Sequence, residues 1–200
     1  MKTIVLINGS YRDDGITDQS ISIIANTLTK LGANTETIVL RDTPIEFCLN
    51  CRHCTQLPGE KPGECVLEDD MRVIVEKIEH ADGIVLASPT NFGSVTALFK
   101  RFMERLIIYA YWPWGKAAPV MRKDQSTKKK ALLVSSSAAP DMMGRWLFST
   151  TKDLKKTAKL LGAEPIGTLF TGMISQESHP TLPNHIKIKS EKLARLLLTN

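Results

Sequence analysis

The sequence predicts an α/β protein organised on one doubly wound, five-stranded parallel sheet with helices on both faces. Two observations carry this: five short apolar runs rich in branched residues, and the amphipathic helical stretches that alternate with them. A third is length, since 200 residues with 42% hydrophobic content suffice to cover a sheet on both sides within one domain. Residues 1–200 are therefore read as a single domain, with irregular insertions near 41–67 and 109–128.

The first strand is Thr3 to Asn8, an apolar run of the kind buried on both faces. Gly9 ends it, and Ser10 to Gly15 forms a turn ahead of a helix that Thr17 or Asp18 is placed to cap. Ile21, Ile24, Ala25, Leu28 and Leu31 recur at helical spacing until Gly32. A second strand follows near Thr35 to Leu40. After the long connection 41–67, Met71, Ile74, Val75 and Ile78 define a second helix with Asp69 and Asp70 in its favourable first turn. Gly83 to Ser88 is the third strand, closed by Pro89, which cannot donate to a ladder. A helix is expected from about Val95 to Ile108, a fourth strand from Lys130 to Ser135, and a helix from about Gly144 to Leu161. Glu164 to Phe170 is the fifth strand, and Ile186 to Leu198 a closing amphipathic helix.

Composition excludes several classes of function. No run approaches the roughly 20 apolar residues of a membrane span, and the first apolar stretch is too short and too soon broken for a secretory signal. The expected compartment is the cytoplasm, with no membrane partner. The formal charge is +5, and Arg122, Lys123, Lys128, Lys129 and Lys130 form a dense basic stretch. No recognition motif accompanies it, so it reads as a solvated loop and nucleic acid is not an expected partner. A basic surface does favour anionic small molecules.

In an open parallel sheet, ligands bind beyond the carboxyl ends of the strands where the strand order reverses. Three loops leave such ends. The first, after Asn8, gathers helix N-terminal N–H groups and suits a phosphate. Pro89 to Gly93, PTNFG, combines a fixed entry, an amide, a flat ring and a glycine, and suits a ring system. Ser135 to Ala138 adds hydroxyls. Together they point to a nucleotide-like ligand. A dinucleotide is disfavoured, because no G-x-G-x-x-G follows the first strand.

The stretches GSYRDDGITDQ, CLNCRHC with Cys65 and EDDM, SPTNFGSVTALFKRFMERL and GAEPIGTLFTGM resemble those of the flavodoxin-like NAD(P)H-dependent FMN reductases, in particular the group that includes the iron–sulfur flavoproteins. The resemblance implies a flavodoxin-like sheet of order 2-1-3-4-5. It also implies that Ser10, Arg12, Thr17 and the backbone of Ile16 and Asp18 hold the phosphate of FMN. Pro89, Thr90, Asn91, Phe92 and Gly93 would border the isoalloxazine, and Ser136 and Ser137 its other edge. Relatives commonly carry an aromatic near Asn91, so stacking here falls to Phe92 or to the YWPWG segment. The carboxylate of Asp18 should point away from a phosphate dianion. The implied activity is hydride transfer from NAD(P)H through FMN to a quinone, a flavin or another acceptor, small-molecule or protein; the alternative is an electron carrier of the flavodoxin kind. No protein acid or base is expected to take part.

All four cysteines, Cys48, Cys51, Cys54 and Cys65, fall within eighteen residues, which in a cytosolic chain points to metal or redox chemistry rather than a disulfide framework. C-x2-C-x2-C with a remote fourth cysteine is compatible with a [4Fe–4S] cluster, with zinc, or with bare reduced thiols. The ten residues before Cys65, containing two Pro-Gly pairs, must fold back to join the other three, and on that ground bare thiols are favoured over the cluster. The segment YAYWPWG, too apolar to lie free, is expected to roof the ligand or a partner subunit in a homodimer or homotetramer.

Overall fold

The computed structural model describes residues 1–123, 129–174 and 177–199. Its elements are β1 Thr3–Asn8, α1 Ile16–Lys30, β2 Asn34–Val39, α2 Met71–His80, β3 Gly83–Pro89, α3 Ala97–Arg105, β4 Ala110–Tyr111, β5 Val120–Met121, β6 Lys129–Ser136, α4 Asp141–Leu147, α5 Thr150–Leu160, β7 Ala163–Thr171 and α6 Asn184–Leu198. The main sheet is parallel throughout, in the order β2-β1-β3-β6-β7. Once the small β4-β5 hairpin is set aside, this is the expected order 2-1-3-4-5, and the fold is flavodoxin-like.

The alternation of β1 shows why the sheet needs two layers of helix. Val5 and Ile7 pack with Met71, Ile74, Phe99, Phe102 and Leu154 on one face, while Ile4 and Leu6 pack with Ile24, Leu28, Ile186 and Leu197 on the other. Each such side chain, once buried, contributes about 1.5–3 kcal/mol. The edge strand β7 slips register opposite Ala131 and Leu132, where Ala131 faces Pro165 and Leu132 faces Gly167. An edge strand tolerates a proline there because its outer N–H positions need no partner strand. No described helix is long and apolar enough to cross a membrane.

Three sequence expectations change. The helix expected over 144–161 is two, α4 and α5, because the chain turns at Ser149, whose N–H donates to Gly93 O at 2.8 Å and whose hydroxyl donates to Asp153. Part of the segment 109–128 pairs as the β4-β5 hairpin, with Tyr111 opposite Val120; residues 124–128 lie outside the described residues. Finally, α1 begins at Ile16 after Gly15 with no side-chain cap, so Thr17 and Asp18 lie inside its first turn rather than capping it.

Candidate functional site

β1 and β3 are neighbours, but the chain leaves β1 for β2 on one side and only later enters β3 on the other. Their carboxyl ends therefore open a crevice, as the topology of such sheets requires. A recess of about 290 Å3 lies there. It is bordered from the first loop by Ser10, Arg12, Ile16 and Thr17, from the β3 loop by Pro89, Thr90 and Asn91, and from β6 by Ser136. Of the residues predicted for this site, Asp18, Phe92, Gly93 and Ser137 do not border it.

The first turn is held from behind. Gly9 donates to Ala87 O, and its own carbonyl accepts from the Thr96 hydroxyl at 2.6 Å. A Cβ at Gly9 would stand 2.8 Å from Phe99 Cβ, which explains the glycine as one of close approach. Asn8 spans the turn, accepting from Ser10 N at 3.0 Å and donating to Asp18 Oδ1 at 2.7 Å. Asp18 is thereby turned onto Asn8 and Arg41, the latter at 3.0 Å. Arg41 also donates to Ser10 O and Arg12 O and pairs with Asp13.

The start of α1 is buried at Ile16 and Thr17, yet no side chain caps it. The N–H groups of a first turn have no intrahelical partner, and a buried, uncapped helix start needs one from elsewhere. Facing the recess, these groups and the positive end of the helix dipole form a seat for an anion. Thr17 Oγ1 lies 3.2 Å from Ser136 Oγ, joining the first loop to β6 across the crevice. The recess, near the lower end of ligand-pocket volumes, and its polar wall therefore suit a phosphorylated ring ligand in chemistry.

Ser137 is buried, but its hydroxyl donates to Ala139 O and its N–H to Thr171 O, so it shapes the β6 loop from behind. Phe92 is fully exposed at a positive φ of 51°, standing away from the recess. Sequence reasoning passed over Tyr11, Ile174 and Pro180, which also border it. Ile174 and Pro180 belong to the tail after β7, which Gln19 fastens by donating to Pro180 O and accepting from Leu182 N. Arg12 donates to Ser178 O in the same tail. Their signal was weak, because the tail has no periodicity and reaches the site only through tertiary contact.

The cysteines stand around a second, much smaller recess of about 20 Å3, bordered by all four of them together with Arg52 and Arg105. The ten-residue connection does fold back: Gly63 donates to Ile108 O at 2.8 Å and lies so close to Cys54 O that a Cβ would stand only 1.8 Å from it. Arg122, buried, donates to Ala110 O, Gly59 O, Cys54 O and Leu57 O and so fixes the loop from the β4-β5 hairpin. The argument that the connection keeps Cys65 apart from the other cysteines therefore fails.

Nor does the aromatic segment roof the larger recess. Trp112 and Trp114 close on the guanidinium of Arg52 at 3.9 and 4.2 Å, a double cation–π contact, and Arg52 also donates to Trp112 O.

Cys51 and Cys65 are exposed and Cys54 is buried. Burial, then the neighbouring Cys65, Cys48 and Cys51, pushes the Cys54 thiol up to about 11. Among the described residues no three His, Cys, Asp or Glu side chains are gathered as a single metal ion would need. A four-iron cube asks for a wider spacing, because each thiolate binds a different iron. The arrangement thus weighs against zinc, while four soft donors around one recess, with a buried cation in its wall, match an anionic iron–sulfur group in donor chemistry.

A doubly wound parallel sheet of this order, with an uncapped helix start at its switch point, defines a flavodoxin-like fold. The chain belongs to the NADPH-dependent FMN reductase family, which it matches over residues 1–169. It is 35% identical over 102 residues to an iron–sulfur flavoprotein of Methanocaldococcus jannaschii, covering 51% of this chain and 50% of that one. It is 36% identical over 85 residues to one of Archaeoglobus fulgidus, covering 42% and 39%. The matches thus span at most about half the length of these curated relatives. Among solved structures, an NAD(P)H:quinone oxidoreductase from Methanothermobacter marburgensis superposes with a TM-score of 0.67 at 16% identity, covering 99% and 96% of the two chains. An FMN-dependent NADH-azoreductase from Bacillus anthracis, in complex with FMN, gives 0.66 at 13%, with both chains fully covered. At these identities the superpositions speak for the fold alone.

Proposed function

We propose that this chain is an FMN-dependent oxidoreductase that takes hydride from NAD(P)H and passes electrons to a quinone, a flavin or another acceptor. One observation carries the reading: the buried, uncapped start of α1, opening on a recess at the switch point of the sheet. Ser10, Arg12, Thr17 and the N–H groups of Ile16 and Asp18 would hold the phosphate, and Pro89, Thr90 and Asn91 would border the ring, with Ser136 opposite. Phe92, Gly93 and Ser137 enter this reading as supports of the loops rather than as contacts. When bound, FMN would supply the hydride-accepting ring. The protein's own part is to seat the phosphate and to keep Asp18 turned away from it, on Asn8 and Arg41. Exposed Phe92, Trp146 and Leu147 support an assembly of two or four copies within this reading.

Steady-state oxidation of NADPH and NADH by the FMN-loaded protein, with a quinone as acceptor, tests the proposal. Turnover dependent on added FMN supports it, and bound flavin without nicotinamide oxidation would leave an electron carrier instead.

The four-thiol recess favours a second component. Cys48, Cys51, Cys54 and Cys65 would hold a [4Fe–4S] cluster, supplying one-electron exchange beside the flavin. The names of the curated relatives support this. Iron and acid-labile sulfide in protein purified without oxygen would bear it out, and iron-free protein with four free thiols would refute it.

A further inference from the structure

Arg105 ends α3 with its side chain 1% exposed, a costly place for a charge. Its guanidinium pairs with both oxygens of Asp69, Nη2 to Oδ1 at 3.0 Å, and donates to Glu46 O at 2.9 Å. Nη2 also lies 3.5 Å from Cys65 Sγ, and Nε is buried without a partner. Arg105 borders the cysteine recess, and Asp69 does not. The cation of the pair touches the sulfur directly, while the anion reaches it only through the Nη2 that the two share.

The pair also joins three points between β2 and α2, at Glu46, Cys65 and Asp69, to the end of α3. Asp69 is fixed in turn, accepting from Glu46 N at 2.7 Å and Met71 N at 3.1 Å. Tying down a loop does not require a charge, because a neutral donor could serve Glu46 O as well. A buried cation against the sulfur of a cluster ligand would do electrostatic work that such a donor could not.

We propose that Arg105 is a positioning residue that holds Cys65 at the recess and raises the reduction potential of the group the cysteines bind, with Asp69 as the opposing charge that moderates it. The proposal rests on the cluster reading above. A thiolate-ligated cluster is anionic and gains a further negative charge when one electron enters, with no bond made or broken. A cation beside a ligand sulfur stabilises the reduced form more than the oxidised form, and an anion does the reverse. Removing either member of the pair should therefore move the potential in opposite directions.

The test is electrochemical titration of the cluster in anaerobically purified, full-length protein, with iron and labile sulfide measured on each sample. Arg105→Gln should lower the midpoint potential and Asp69→Asn should raise it, while Arg105→Lys should fall between Arg105→Gln and wild type. If Arg105→Gln does not fold, an Asp69→Asn potential above wild type with Arg105→Lys below it still supports the proposal. Iron-loaded variants whose potentials both fall, both rise or both stay at the wild-type value overturn the role of Arg105 and leave the cluster standing. Wild-type protein without iron and sulfide overturns the cluster and this proposal together.

Discussion

The recess at the carboxyl edge of the sheet is walled mainly by turns that leave strand ends, whereas the cysteine recess is held by arginine side chains acting across an irregular loop. In the first, Ser10, Thr90 and Ser136 stand at successive strand exits, and the anion seat is built on main-chain N–H groups with the Thr17 hydroxyl beside them. In the second, Arg105 reaches from α3, Arg122 from the β4-β5 hairpin, and Arg52 reaches out to two tryptophans. The difference teaches where each site is vulnerable. A recess made of strand ends survives most side-chain changes short of damage to the sheet, while a recess made of buried guanidinium bonds fails when one of them is removed.

The sharpest way to break the comparison is Arg105→Ala. Removing one partner of a buried, hydrogen-bonded pair costs about 3–5 kcal/mol, read as a lower urea midpoint. Arg41→Ala, which removes the partly exposed brace behind the first recess, should cost about 1 kcal/mol. Equal losses would erase the contrast.

Gly9→Ala probes the main-chain wall where it is tightest. The added Cβ meets Phe99 at 2.8 Å and 2.9 Å, so the β1 turn or α3 must shift, at about 1–3 kcal/mol. FMN affinity should fall with stability, whereas the cysteine recess, measured by the reactivity of its four thiols, should not change.

Acid separates the two regions in another way. Burial pushes the Asp69 carboxyl up, but the Arg105 hydrogen bonds and the N–H groups of Glu46 and Met71 outweigh it and hold the group below its ordinary value. Its folded pKa is depressed, so its contribution is fully present above the ordinary carboxylate value of about 3.9 and is lost as pH falls below it. Limited proteolysis of the 41–67 segment in wild type should be slow near neutrality and accelerate below that value, whereas in Asp69→Asn it should be faster near neutrality and respond less to acid.

A small effect is also expected at Arg52. Arg52→Leu removes a cation between two indoles, worth about 0.5–2 kcal/mol, and should change Trp112 and Trp114 fluorescence while leaving FMN affinity unchanged.

The same contrast explains what could be read before the structure. β1, β3 and their loops follow from apolar runs closed by Gly9 and Pro89, a pattern local to each strand, and the sheet order then brings Ser10, Thr17, Asn91 and Ser136 to one edge. The cap on α1 was misjudged because Thr17 and Asp18 look like capping residues; their side chains go to Ser136 and to Asn8 with Arg41 instead. The break at Ser149 was hidden because it depends on Gly93 O, more than fifty residues earlier. The fold-back of Cys65 and the lodging of Arg52 between Trp112 and Trp114 are tertiary in the same sense. No period in the sequence announces a buried arginine, and Arg105 reads locally as one more basic residue on a helix face.

The central claim is that FMN seats its phosphate at the start of α1, apart from the cysteines. Titration of FMN by flavin fluorescence quenching against wild type, Thr17→Ala and Cys65→Ser tests it most directly. Losing one hydroxyl to a charged phosphate should cost on the order of 1.5–3 kcal/mol. Thr17→Ala should therefore bind roughly ten- to a hundredfold more weakly, with Cys65→Ser matching wild type. An unchanged dissociation constant for Thr17→Ala, or a loss of binding confined to Cys65→Ser, would contradict the account.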